Sequence, residues 1–68
     1  MYQAIYKCRL CKANIAKDKC IYPSFYSGEL RANVNNEIKY FPMVMEHRCG
    51  DGSLGIADFQ GFKKAGDL

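Results

Sequence analysis

Two short stretches, Cys8-Arg9-Leu10-Cys11 and His47-Arg48-Cys49, decide the fold of this 68-residue sequence. A Cys-x-x-Cys turn can bring two sulfurs to one metal ion, at about 2.3 Å each. A histidine and a cysteine two positions apart on a strand share one face, so both can reach the same ion. Together the two stretches supply three thiolates and one imidazole, which is a closed structural zinc set. The sequence therefore predicts one zinc ion bound by Cys8, Cys11, His47 and Cys49.

The short length of the chain makes a metal site physically useful. We expect a single zinc-binding domain over residues 1–68. Ordering each residue costs roughly 1.5 kcal/mol, which a core of this size can only just offset. Chains of this size usually need disulfides, a structural metal or a partner subunit. A four-ligand site also leaves no open position for a catalytic water, so we expect no enzyme activity.

Two disulfides are the alternative use of the four cysteines. Residues 1–7 lack the charged head and the long apolar run of a secretory signal. No apolar run approaches the roughly 20 residues of a membrane span, so we expect no membrane partner. We therefore expect a soluble, cytoplasmic protein. In that compartment thiols stay reduced and paired cysteines are more often metal ligands, which favours zinc over disulfides.

Cys20 is the spare cysteine of the sequence. It could replace His47 and complete a four-cysteine site, or it could pack in the core as a small hydrophobic side chain. It has no paired neighbour at ligand spacing, which favours the core.

Alternating aromatic and β-branched residues predict strands on both sides of the metal ligands. An Asp-Gly pair between two apolar runs predicts a hairpin turn after Cys49. Glycines at 55 and 61 within the last strand indicate a bulge or a close backbone approach. The predicted strands cover 2–7, 20–22, 43–49 and 54–62, with a turn over 50–53 and a frayed tail over 63–68.

The middle of the chain is predicted to be helical over 28–40. Ser27 can cap the N-terminus of this helix, and Pro42 limits its C-terminus. Apolar residues recur in this segment at spacings of three and four, at Leu30, Val34, Ile38 and Phe41.

A hairpin turning at Asn35-Asn36 is the alternative for the same segment. That loop would place Val34 opposite Glu37 and Ala32 opposite Lys39, which mixes apolar and charged side chains on one face. The helix is therefore favoured. The expected fold class is α+β: a small zinc-ribbon-like domain with an antiparallel sheet, one helix and one structural zinc ion.

Charge and exposed aromatic residues indicate two kinds of partner. The net charge is +3, and residues 1–20 hold five cations against Asp18 alone, which permits nucleic-acid binding without requiring it. Lysine and arginine would contact phosphates and tyrosine would stack on bases. The candidate contact residues, for nucleic acid or another partner, are Lys7, Arg9, Lys12, Lys17, Lys19, Tyr22 and Tyr26.

A protein partner is favoured over nucleic acid because the chain has more large apolar side chains than so small a core can bury. Flexible methionine and flat aromatic surfaces suit protein contacts. A homodimer formed by pairing an apolar strand edge across a two-fold axis is a further alternative. The residues that cannot all be buried are Tyr22, Phe25, Tyr26, Met43 and Met45.

Three stretches resemble small zinc-ribbon proteins encoded by phages of Gram-positive bacteria: Tyr6-Lys7-Cys8-Arg9-Leu10-Cys11, His47-x-Cys49, and the run from Asp51 to Phe62. The resemblance implies zinc on the same four ligands and a structural signature over 55–62. Lys12 stands where such a turn usually has glycine, and Cys20 is extra. The resemblance implies no particular activity. With the exposed aromatic residues, it leads us to expect a phage factor that docks on a host enzyme in the host cytoplasm and alters it.

Overall fold

A computed structural model describes residues 1–65, and this part of the chain contains six β-strands and no helix. The strands form one antiparallel sheet in the order β4-β3-β2-β1-β6-β5, curved into a half-barrel. The α+β prediction is therefore wrong, and the fold is all-β. Within residues 1–65 no helix is long and apolar enough to cross a membrane. The strands are β1 (Tyr2–Cys8), β2 (Asn14–Tyr26), β3 (Glu29–Val34), β4 (Glu37–Phe41), β5 (Val44–Arg48) and β6 (Leu54–Lys64).

The predicted helix over 28–40 is replaced by the β3–β4 hairpin. Asn35 and Asn36 form its two-residue loop, with φ angles of 53° and 68°. Two consecutive positive φ angles are what a type I′ turn requires, and asparagine tolerates them better than most residues. The register places Val34 opposite Glu37 and Ala32 opposite Lys39, which is the pairing rejected above.

The mixed register is tolerated because β4 is an edge strand, so its charged side chains reach water. The ammonium group of Lys39 lies 5.7 Å from the centre of the Phe41 ring and 2.6 Å from a carboxylate oxygen of Asp18. The long side chain thus keeps its charge in solvent beside an apolar ring. Only the Leu30–Phe41 pair of this hairpin is buried on both strands.

Replacing Asn36 with glycine is expected to stabilise the protein by about 0.5 kcal/mol. Asn-Gly is the preferred pair for a type I′ turn, because glycine adopts positive φ without steric strain. The urea midpoint of the metal-loaded variant, compared with the unmodified protein, measures the change. A lower midpoint is the result that a helix over this segment would give, because glycine destabilises a helix interior.

The two edges of the sheet are joined by only two residues, Pro42 and Met43. Three peptide units span at most about 11 Å, so the sheet must curl until the end of β4 and the start of β5 come close together. The hydroxyl of Tyr6, on the inner face of the sheet, donates to the Pro42 carbonyl at 2.6 Å. The backbone N–H of Phe59 donates to the Met43 carbonyl at 2.9 Å. These two bonds fix the link between the edges to β1 and β6.

The core lies on the concave side of the curved sheet. Tyr6 is fully buried there, and burial raises the pKa of its phenol, so the hydroxyl stays protonated and able to donate. Its ring meets Phe59 edge to face at 5.6 Å, and Phe62 continues the contact at 5.1 Å from Phe59. The buried cluster consists of Ala4, Tyr6, Cys20, Leu30, Ala32, Phe41 and Ala57.

Strand β2 bends the sheet and divides it into two halves. Its first part pairs with β1, and its second part pairs with β3 after an irregularity between Ile21 and Ser24. Tyr22 takes a φ of 54° at this point, and Pro23 follows without ending the strand. Bulges increase the local twist of a sheet. The β3–β4 hairpin is therefore rotated relative to the half of the sheet that β1, β6 and β5 form. At the other end of the chain, Lys63 and Lys64 of the predicted tail belong to β6, and residues 66–68 lie outside the described part.

Candidate metal centre

The first ligand pair sits where β1 ends and the chain turns back. The Cys8 N–H donates to the Ala13 carbonyl at 2.9 Å, and the Lys12 N–H donates to the Cys8 carbonyl at 3.0 Å. Lys12 takes a φ of 67°, which explains why glycine is common at such a position. The Arg9 N–H donates to the Ile56 carbonyl at 2.8 Å and ties the turn to β6. Cys8 is buried and Cys11 is exposed.

The second ligand pair is supplied by the end of β5 and the turn that follows it. His47 lies opposite Gly55 in the β5–β6 register. The Cys49 N–H donates to the Ser53 carbonyl at 2.8 Å, and the Gly52 N–H donates to the Cys49 carbonyl at 3.0 Å. Backbone bonds to β6 and within the turn therefore hold both side chains on the concave face.

The structure brings the four predicted ligands together. One donor atom from each of the four residues lies within 4.8 Å of every other. The Cys8 and Cys49 sulfurs are 3.8 Å apart. Two sulfurs at about 2.3 Å from a tetrahedral ion are separated by about 3.8 Å, so this spacing fits a shared ion. It is far longer than the roughly 2.05 Å of a disulfide bond, and all four cysteines are free thiols.

Gly55 is part of the metal centre although it offers no ligand. A Cβ atom at this position would lie 2.5 Å from the Cys8 sulfur and 3.4 Å from the Cys49 sulfur. It would also lie 3.1 Å from the Leu10 Cβ. The backbone of β6 therefore passes so close to the sulfurs that only glycine leaves room for them. The close backbone approach that the sequence indicated at this position is found here.

The two buried thiols differ in their readiness to ionise. The backbone N–H of Cys11 donates to the Cys8 sulfur and lowers the pKa of Cys8, with a smaller contribution from the Leu10 N–H. Burial, together with the neighbouring thiols of Cys11 and Cys8, raises the pKa of Cys49 to about 12. A divalent cation between the sulfurs would offset this repulsion and allow all three thiols to ionise. The cluster is therefore matched to a cation.

Metal affinity is expected to fall as the pH falls. The Cys49 thiol is protonated at neutral pH, because its pKa is raised, so a bound metal must displace at least that proton. Each displaced proton weakens binding by about tenfold per unit decrease in pH. Competition with a chelator of known pH dependence, between about pH 8 and about pH 6, measures the slope. An affinity that does not change over this range would show that the Cys49 thiol is not a ligand.

Cys20 lies away from the metal centre. It is 1% exposed and belongs to the buried cluster, where desolvation raises its pKa. Its position opposite Tyr2 in the β1–β2 register places it near the far end of β1 from Cys8.

The other predicted contact residues separate into three groups. Lys7, Arg9 and Lys12 surround a pocket of about 290 Å³ beside Cys8, on the convex face. Tyr22 and Tyr26 are 76% and 72% exposed and lie on the second half of β2. Lys17 and Lys19 lie on the first half of β2, with Lys17 half-buried and Lys19 exposed. The predicted contact residues thus do not form a single site.

An ion pair that could not be predicted from the sequence fastens the metal turn to β6. The guanidinium of Arg9 donates to both carboxylate oxygens of Asp58, at 2.7 and 2.8 Å. These hydrogen bonds lower the pKa of Asp58 and raise the pKa of Arg9. Nothing in the local sequence links the two residues, which lie 49 positions apart.

The fold and the cluster define a small all-β protein with a Cys₃His group that could hold one metal ion. No family model, no curated protein and no solved structure matches the chain.

Proposed function

We propose that the protein is a zinc-stabilised protein-interaction module of the phage type, with no catalytic activity of its own. Three thiolates and one imidazole with short sulfur spacing favour zinc among the common divalent metals. All four positions of a tetrahedral ion would be filled by protein, which is the arrangement of a structural site. The proposed role of the ion is to hold β1, β5 and β6 together.

The proposed zinc identity has a direct test. Elemental analysis of the purified protein is expected to give one zinc per chain. Replacement by Co²⁺ is expected to produce the visible absorption of a tetrahedral thiolate complex. A protein that is folded and contains neither zinc nor another metal would contradict the proposal.

The observation that carries the proposed interaction is an aromatic face, which we define as Tyr26, Ile38 and Tyr40. The β2–β3–β4 registers place these residues on the convex side of the hairpin, with Arg31 between Ser24 and Tyr40. The three side chains are 72%, 62% and 56% exposed. Neighbouring large apolar side chains with this exposure mark interaction sites more often than ordinary surface.

A protein is the partner that fits the aromatic face. Tyrosine and arginine are over-represented among the residues that dominate protein interfaces, and Arg31 lies beside Tyr40. The charges on this side of the hairpin are balanced, with Glu29 against Arg31, so this region does not favour a polyanion. We propose that the face docks on a bacterial host enzyme in the cytoplasm and modulates or inhibits it.

The test compares two doubly substituted variants as bait in a nuclease-treated lysate of a Gram-positive bacterium. Ile38→Ser with Tyr40→Ser removes the two residues of the aromatic face that lie on β4. Leu54→Ser with Ile56→Ser removes two side chains that are similarly exposed, at 55% and 49%, on β6. We expect the first variant to lose a partner that the unmodified protein and the second variant retain, at equal metal content. Equal capture of the same proteins by all three would contradict the assignment of this face.

A further inference from the structure

We infer that the convex surface of β2, β1 and β6 binds the phosphodiester backbone of nucleic acid through a basic face, which we define as Lys7, Arg9, Lys12, Lys19 and Lys63. This inference does not depend on the aromatic face, which lies on the other half of the sheet. It rests on the strand registers, the distribution of charge and two adjoining pockets.

The registers place cations from distant parts of the chain side by side. Gln3 lies opposite Lys19 on one side and opposite Lys63 on the other, so these lysines flank β1 on one face. Lys7 lies four residues further along β1, on the same face, opposite Asp58. Strand spacing puts the backbones of Lys19 and Lys63 about 10 Å apart, and Lys7 about 13 Å along β1 from that row.

The net charge of the protein is concentrated on this face. One acidic residue, Asp58, lies among its five cations, and Glu46 of the neighbouring strand β5 borders the face opposite Ile56. The face therefore carries +4, whereas the whole chain carries +3, so all other residues together sum to −1. Arg9 forms an ion pair with the Asp58 carboxylate at 2.7 Å. The other four cations of the face form no ion pair with that carboxylate. Such a one-sided field attracts an extended polyanion.

Two pockets on the same face meet at Gln60, and we refer to them together as the groove. The first, of about 290 Å³, is lined by Lys7, Cys8, Arg9, Lys12, Asp58 and Gln60. The second, of about 300 Å³, is lined by Gln60, Ile5, Phe62 and Lys63. The groove thus has lysines at both ends and the Gln60 amide between them. One N–H of this amide donates to the Asp58 backbone carbonyl at 3.2 Å, and the second is the one that could contact a phosphate.

The surroundings of the groove favour phosphodiester over an acidic peptide or a lipid surface. Ile5, the large apolar side chain that faces outward beside the second pocket, is only partly exposed. The exposed apolar side chains of this surface, Leu54 and Ile56, lie beyond the pockets, past Asp58 on β6. Peptide and membrane partners gain most of their affinity from apolar contact, which the two pockets themselves offer sparingly. Phosphate contacts need only positive charge and hydrogen-bond donors. The exposed aromatic rings of β2, Tyr22 and Tyr26, lie on its second half, away from the five cations, so binding is expected to show little base preference.

The test measures fluorescence anisotropy of labelled oligo(dT) of about 12 nucleotides against KCl concentration, with metal-loaded protein. Four unpaired cations predict a slope of log affinity against log salt of about −2.8, or roughly 50-fold weaker binding between about 50 and about 200 mM. Lys7→Gln with Lys63→Gln is expected to halve that slope. Arg31→Gln with Lys64→Gln removes the same charge elsewhere, since Lys64 points to the opposite face from Lys63. We expect this control to keep the slope.

Three results would overturn the inference. The first is no binding of oligo(dT), duplex DNA or RNA at low salt. The second is an equal loss in the two variants, which would assign binding to net charge alone. The third is binding of poly-glutamate or of anionic lipid vesicles that is as tight as binding of oligo(dT) and is lost when Lys7 and Lys63 are replaced. The face would then not distinguish phosphodiester from other polyanions. Metal content and the thermal midpoint, measured for every variant, confirm that each one is folded.

Discussion

Replacing Gly55 with alanine is expected to abolish stoichiometric metal binding and to destabilise the protein by more than about 3 kcal/mol. The added methyl group would lie 2.5 Å from the Cys8 sulfur, so either that sulfur or the β6 backbone must move. The Cys8 side chain is fully buried, and the β6 backbone is fixed to the metal turn through the Ile56 carbonyl. A ligand displaced from its site is expected to weaken metal affinity roughly 100-fold or more.

Gly50→Ala provides the matched control for this prediction. A Cβ atom at position 50 meets nothing within 4 Å, and its backbone needs no positive φ. The change is therefore expected to alter stability by less than about 0.5 kcal/mol and to leave one metal per chain. Metal analysis and thermal denaturation of both variants measure the predicted differences in metal content and stability. A Gly55→Ala protein that retains its metal would mean that the sulfurs do not converge below β6.

The four ligands could be predicted from the sequence because each pair is local. A Cys-x-x-Cys turn and a His-x-Cys strand each fix the relative positions of two donors through backbone geometry alone. Joining the two pairs needs only one long-range contact, between β1 and the β5–β6 hairpin. Gly55 could be noticed for the same reason, since glycine inside a strand indicates close approach. Which atoms approach it could not be predicted without the register of β5 and β6.

The middle of the chain was predicted wrongly because two periodicities overlap there. Leu30, Val34 and Ile38 match a helical spacing, whereas Leu30, Ala32 and Val34 alternate as in a strand. The choice was decided by the charged residues opposite Ala32 and Val34. That criterion holds for a strand with neighbours on both sides, but β4 is an edge strand whose side chains reach water. Strand order is a property of the whole sheet, so this segment alone could not reveal it.

The basic face also depends on long-range register. Lys63 comes from the segment predicted as a frayed tail, and Lys19 lies outside the predicted strands, yet both flank Gln3. The excess of positive charge in residues 1–20 was visible in the sequence. Its concentration on one face was not, because it follows from bulges in β2 and β6 that shift the pairing with β1.

Replacing Cys11 with serine is expected to unfold most of the protein at room temperature, although Cys11 is an exposed residue. An exposed substitution without a special role usually changes stability by less than about 0.5 kcal/mol. A structural zinc ion contributes about 10–16 kcal/mol to the folding of a small domain, and loss of one ligand forfeits much of that. Circular dichroism and metal analysis of Cys11→Ser measure the effect. A strong chelator is expected to unfold the unmodified protein to the same extent and to change the variant little further.

Comparing Cys11→Ser with Cys20→Ser separates the effect on stability of losing the ion from the effect of disturbing the core packing. Cys20 is 1% exposed in the core, so a serine hydroxyl there is expected to cost about 1–3 kcal/mol. The variant should nevertheless bind one metal per chain, because Cys20 is not among the four converging donors. If burial alone governed stability, the order would be reversed, with Cys11→Ser neutral and Cys20→Ser severe. A Cys11→Ser protein that melts like the unmodified one would therefore rule out the metal as the element that holds this half-barrel together.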